Sequence, residues 1–152
     1  MILPAHYTLI PTPHPNPPLF RDARARRVTN RDPRHLSPNW DQRLDGEAVP
    51  WFYFLNGKRT QIDPRGCPEG WEMRLDDRGK NYFQNKRTKR TTSTDPRGLP
   101  EGWEMTVHET GFVFFIDEKG GRRVEDPRKG MREEEAQALF VRDWNQWWLN
   151  RI

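Results

Sequence analysis

The chain holds one cysteine, Cys67, among its 152 residues. That excludes an intrachain disulfide and any cysteine metal cluster. Aliphatic residues are scarce: all hydrophobic types together reach only 33% of the sequence, low for a domain built round one large core. No run approaches the roughly 18 apolar residues of a membrane helix, and the apolar opening is broken by Pro4, His6, Pro11, Pro13 and Pro15. No signal peptide is recognisable, so a soluble protein of the cytoplasm or nucleus is expected. The histidines, His6, His14, His35 and His108, are scattered and lack the spacing of metal ligands. No nucleophile–base pair accompanies Cys67. Neither catalysis nor a metal or other cofactor is expected.

Against these absences stand 7 Trp, 8 Phe, 3 Tyr, 14 Pro and 11 Gly. A unit too small for a large aliphatic core can still be held by a few rings, each burying roughly 150–250 Å². The composition therefore predicts several small β units. Charge is unevenly placed. Residues 1–20 carry no Lys, Arg, Asp or Glu, while residues 21–34 hold six arginines against two aspartates, which accounts for the whole net charge of +4. This segment reads as a solvated strand and loop rather than a nucleic-acid patch.

An internal repeat organises the sequence. DPRGCPEGWEM (63–73) and DPRGLPEGWEM (95–105) differ at one position in eleven, and DPRHLSPNW (32–40) is a third version. Trp40, Trp71 and Trp103 are spaced by 31 and 32 residues, and each is followed 24 or 25 residues later by a proline: Pro64, Pro96, Pro127. Strands are expected at Trp71–Leu75, Asn81–Gln84 and Lys89–Ser93, and again at Trp103–Val107, Val113–Ile116 and Arg122–Val124, with turns between. In the preceding copy, Trp51–Leu55 leads into Asn56-Gly57, the strongest short hairpin signal, with both turn residues expected at positive φ. Each copy thus reads as a three-stranded antiparallel meander. Trp on strand one and Pro after strand three can stack and clasp its two ends.

LPEGWEM…G…FF…DPR resembles the WW domain, most closely those of the WW–HECT ubiquitin ligases. The resemblance covers residues 36–65, 67–97 and 99–128. Residues 1–34 form either an eroded fourth copy, with Tyr7 in the Trp place, or a Pro- and Arg-rich leader that could itself be a polyproline II ligand. The resemblance implies binding of proline-rich segments of other proteins, often PPxY, between two aromatic walls. The walls implied on strand two are Phe83, Phe115 and either Tyr53 or Phe54. The second wall, a Trp in the family, falls on Ser93, Val124 and either Gln61 or Ile62, with Thr91 and Thr92 nearby. The family's histidine falls on Lys86 and Glu118. Weak or altered binding is therefore expected. The linkers, Gly66 and Gly98, are single residues, so restricted mutual orientation of the copies is expected.

Residues 131–152 lack Gly and Pro and read as an amphipathic helix. Glu133, Glu134 and Glu135 sit in the first turn and Arg151 in the last. Val141, Trp144, Trp148 and Ile152 recur at helical spacing, flanked by Phe140 and Trp147. This face is expected either to pack on the last copy or to dock a partner, self-association included. Phe140-Val141-Arg142-Asp143-Trp144 resembles the start of the helix that leads into a HECT domain. The expectation is a mainly β array with one C-terminal helix, acting as an interaction adaptor. The alternatives are a fragment or regulatory part of a HECT-type ligase, and a nucleic-acid-associated module.

Overall fold

A computed structural model describes residues 3–151. It is mainly β, with four separate three-stranded antiparallel sheets followed by one helix. The sheets are β1–β3 (Tyr7–Ile10, Leu19–Asp22, Arg27–Thr29), β4–β6 (Trp40–Leu44, Pro50–Phe54, Arg59–Thr60), β7–β9 (Trp71–Leu75, Asn81–Asn85, Thr91–Thr92) and β10–β12 (Glu104–Val107, Val113–Ile116, Arg122–Arg123). Residues 1–34, open between two readings in the sequence, thus contain a sheet of the same order. The described residues fall in two compact units: residues 3–63 with Asp77–Gly79, and Pro64–Asp76 with residues 80–151.

The four copies share local devices. The amide at each Trp position closes a turn onto the carbonyl three residues back: Tyr7 to Pro4, Trp40 to Ser37, Trp71 to Pro68, Trp103 to Pro100. Tyr7 therefore stands in the Trp place by geometry as well as by alignment. The Asn56-Gly57 turn differs from expectation. Gly57 alone has positive φ, and the bonds run from the Gly57 amide to the Phe54 carbonyl and from the Phe54 amide to the Lys58 carbonyl. This three-residue loop ends in a left-handed residue, the second commonest hairpin connection. It recurs at Asp45–Val49, His108–Phe112 and Asp117–Gly121, with Ala48, Gly111 and Gly120 in the left-handed place.

The third strands pair over only two or three residues. The hydroxyls of Thr29, Thr60 and Thr92 accept the amide two residues on, at Arg31, Ile62 and Thr94. A Thr that satisfies its neighbour's backbone in this way draws the chain out of the ladder. Ser93 thus lies outside the strand expected for it; so do Lys89, which is left-handed at φ +64°, and Arg90, and so do Val124 and Trp103, one residue after β12 and one before β10.

Each sheet is built round one ring of its middle strand. Phe20, Phe52, Phe83 and Phe115 are almost wholly buried. Each pairs with the residue two after the Trp position: Leu9, Gln42, Met73 and Met105. In the first unit the Tyr7 hydroxyl donates to the Gln42 carbonyl and the Gln42 amide to the Arg31 carbonyl, tying two sheets together.

The helix, α1, spans Glu133–Leu149 and buries no residue completely. Arg151 lies past its end, not in its last turn. It still donates to the Trp147 carbonyl and covers the Trp147 ring, as a cation at the negative end of a helix should. Ile152 lies outside the described residues. No helix among the described residues is long and apolar enough to cross a membrane.

Candidate functional site

Alternation along a strand puts successive side chains on opposite faces. Because Phe52, Phe83 and Phe115 point into the cores, the neighbouring Trp51, Tyr82 and Phe114 present the other face and are half-buried. Phe83, Phe115 and Phe54, expected as groove walls, are core residues, and Phe54 packs its ring 5.0 Å from Trp40. A wall must be accessible, so these three are corrected. Tyr53, the alternative to Phe54, lies half-buried two residues along from Trp51. The last cross-strand pairs are Phe52 with Thr60, Phe83 with Thr92 and Phe115 with Arg123; the same register carried one step on would set Gln61 opposite Trp51, Ser93 opposite Tyr82 and Val124 opposite Phe114. Carried on in this way, the register sets Gln61, not Ile62, opposite Trp51. All three facing residues are exposed, Val124 strongly so. Thr91 pairs with Gln84 at the exposed edge of its sheet.

Arginine guanidiniums lie over several of these rings. Arg59 sits 4.1 Å from the Trp51 ring centre, Arg43 4.5 Å from Tyr53 and Arg122 5.4 Å from Phe114. Around Phe114 the exposed Phe112 stacks with His108 at 4.9 Å.

The clasp residues follow one trend. Trp40 and Trp71 are buried, as are Pro64 and Pro96, and Trp71 and Pro96 line one hollow of about 800 Å³. In the first copy Tyr7 and the wholly buried Pro33 share another hollow. Trp103 and Pro127, in the last copy, are each only half-buried.

The Asp-Pro-Arg motif does more than end each copy. Arg97 donates from Nε and an amino group to Asp95, and from its other amino group to the Arg65 carbonyl at 3.1 Å. Arg128 grips Asp126 likewise and reaches the Asp95 and Arg97 carbonyls, both at 2.6 Å. Successive motifs of the second unit thus form a ladder in which each arginine satisfies the backbone of the copy before it. The helix closes on this ladder rather than on the last sheet. Trp144 and Trp148 lie under Arg65, and Phe140 under Arg97. Asp143 accepts the Gly98 amide at 2.7 Å, and Arg142 donates to the Leu99 carbonyl at 2.7 Å. Gly66 must be glycine here: φ is +88°, and a Cβ would stand 3.3 Å from the Trp144 ring. Gly66 and Gly98 are therefore buried ladder residues, not loose linkers. Of the remaining expected docking residues, Val141 is exposed and Trp147 is half-buried. Sequence reading missed the ladder, although four copies of Asp-Pro-Arg were its visible signal.

Cys67 fills the Leu position of its motif. Burial pushes its thiol up to about 12, and the thiol donates to the Pro64 carbonyl. A thiol reacts as its thiolate. Native Cys67 is therefore expected to resist iodoacetamide at pH 8.5 while the urea-unfolded chain is labelled fully. Equal labelling in both states would contradict its burial. The sign of the pH dependence follows. The unfolded thiol ionises near pH 9 and the folded one does not, so this residue's contribution to stability falls as pH rises from about 9 toward 12.

The proline-rich segment is not an extended leader. The Asn16 amide bonds the Pro13 carbonyl, and the Thr12 hydroxyl bonds the Asn16 and Pro17 carbonyls. A closed loop between β1 and β2 results. Among the arginines of 21–34, Arg24 pairs with Asp41, Arg31 with Asp63 and Arg34 with Asp32. No group of three or more potential metal ligands occurs among the described residues. The chain matches no protein-family model, and no curated protein matches it at a significant level.

Proposed function

We propose that this chain is a protein-interaction scaffold whose small sheets offer strand-two aromatic faces to segments of other proteins. The observation that carries this reading is repeated in three sheets. An accessible ring is kept on the outward face at Trp51, Tyr82 and Phe114, while the register carried one step on sets Gln61, Ser93 or Val124 opposite. A ring kept half-exposed in each copy serves no core. A proline laid on it would meet one wall instead of two. The lost wall costs about 1–3 kcal/mol, a ten- to hundredfold weakening. Several such faces on one chain restore part of this through avidity.

The test is a ¹⁵N titration of the whole chain with PPxY peptides. Amide shifts near Tyr53, Tyr82 and Phe114 are expected at close to millimolar peptide. Saturation at micromolar peptide would mean a fully competent groove. Silence at all three at millimolar peptide would remove proline recognition from the proposal.

From the resemblance of its repeats to those of WW–HECT ligases, we propose a role in the ubiquitin-ligase pathway, as an adaptor or as a regulatory part of a ligase. Arg142 and Asp143, which carry the helix resemblance, have a use within the chain in binding Leu99 and Gly98. A nucleic-acid role is disfavoured by the intrachain pairing of Arg24, Arg31 and Arg34.

A further inference from the structure

We infer that the outward face of the β4–β6 sheet binds an extended acidic segment of a partner protein through Arg43 and Arg59. This rests on reading the array as an interaction scaffold and names the chemistry of one of its faces. Trp51 and Tyr53 are two residues apart on β5, so they share a face at positions about 7 Å apart along the strand. Arg59, from β6, lies over the Trp51 ring, and Arg43, from β4, lies over the Tyr53 ring. The two guanidiniums thus flank the ring pair from opposite edges.

Stacking fixes a guanidinium in place yet leaves its N–H edge open, the geometry that suits bidentate binding of carboxylate or phosphate. Arg43 uses only Nε, on Asp41 at 3.0 Å. Arg59 uses one amino group, on the Tyr53 hydroxyl at 3.3 Å. Their remaining donors have no partner among the described residues. Both arginines are exposed.

The acids nearby are already committed. Asp41 also takes Arg24 at 3.2 Å. Asp45 accepts the Val49 amide, the Trp51 indole N–H and the Glu47 amide, which hold its carboxyl below the usual carboxylate range. The face therefore has cationic donors in excess. An extended peptide with acids at alternate positions repeats at the same spacing of about 7 Å as the ring pair. Single-stranded nucleic acid fits less well, because a guanidinium over each ring leaves less open face for the continuous stacking of bases.

The probes are a peptide of alternating Thr and Glu, its Gln-for-Glu counterpart, a phosphoserine version, inorganic phosphate alone and a short single-stranded RNA. The readout is the arginine Nε–Hε resonances of the full chain. The Glu or phosphoserine peptide is expected to shift Arg43 and Arg59 where the Gln peptide does not. Comparing the two anionic peptides shows which anion is preferred. R43Q and R59Q should each weaken binding roughly fivefold or more, with an unchanged thermal melt, and raising salt tenfold should weaken it further.

Equal binding of the Gln peptide, a response to inorganic phosphate as strong as to the peptides, or tighter binding of RNA would overturn the inference. So would silence of both arginines with both anionic peptides. The PPxY titration, read at Tyr82 and Phe114, is unaffected by R43Q and R59Q, so failure here is separable from failure of the scaffold reading.

Discussion

Phe83→Ala is expected to unfold the β7–β9 sheet, whereas Tyr82→Ala should leave it folded. Adjacent rings on one strand thus have opposite roles. Phe83 is 0% exposed, between Met73 on β7 and Thr92 on β9, with Arg97 over its ring. Truncating a buried Phe costs about 3–5 kcal/mol, from lost burial and the cavity left behind. A whole domain has only about 5–15 kcal/mol to lose, and a three-stranded sheet has no second core to fall back on. Tyr82 is half-buried on the other face, where truncation should cost about 1 kcal/mol or less. Urea melts of both variants, with hydrogen exchange read at the β8 amides, measure the difference. The binding prediction runs the other way: Tyr82→Ala should abolish peptide-induced shifts in this sheet while its melt stays close to that of the parent. Melts of equal midpoint, or a larger loss for Tyr82→Ala, would show that the inner and outer rings have been misassigned.

This pair also shows where sequence reading succeeded and where it failed. The repeat, the three-stranded order of each copy and the places of the turns were legible because glycine and asparagine punctuation and the Trp spacing report local geometry directly, whereas the type of the Asn56-Gly57 turn was not. Which of two adjacent aromatics faces inward was not legible. In Asn81-Tyr82-Phe83-Gln84 both central residues are large rings, so alternation of polar and apolar residues gives no phase. The structure sets the phase through β7, where Trp71, Met73 and Leu75 are all buried and Met73 pairs with Phe83. The sheet in residues 7–29 was half legible. Tyr7 stood in the Trp place, but proline density in residues 11–18 suggested an extended leader, and only the Thr12 and Asn16 bonds show a closed loop.

The helix illustrates a different limit. Its apolar spacing was plain, but periodicity says which side is apolar, not what lies against it. The answer depended on residues distant in sequence: the single-residue linkers Gly66 and Gly98, and Arg65 and Arg97 just before them. A linker that is both left-handed and buried is a packing element. That is why glycine recurs there, with His35 taking the same left-handed place after the first Asp-Pro-Arg.

Arg97→Ala should cost the second unit about 3 kcal/mol or more and loosen α1 as well. The Arg97 side chain is 1% exposed. Its charge is met by Asp95 through two nitrogens, its third nitrogen holds the Arg65 carbonyl, and its guanidinium carbon lies 5.4 Å from the Phe83 ring centre and 4.8 Å from that of Phe140. Removing one member of a buried, hydrogen-bonded charge pair is strongly destabilising, about 3–5 kcal/mol, because the groups left behind lose their partners without regaining water. Here Asp95 remains about a third exposed, so the lower end of that range applies. Arg97→Lys keeps the charge but cannot fork across both Asp95 oxygens and reach Arg65 together, and it should recover only part of the loss. Contact with both rings makes the effect spread. Phe83 belongs to the β7–β9 core and Phe140 to the helix. Hydrogen exchange at Gly98, whose amide is held by Asp143, and across α1 should therefore speed up together with exchange in β8. Acceleration in β8 alone would mean that the ladder and the helix are not energetically joined. A melt within about 0.5 kcal/mol of the parent would mean that the Asp-Pro-Arg ladder only decorates a fold held by its rings.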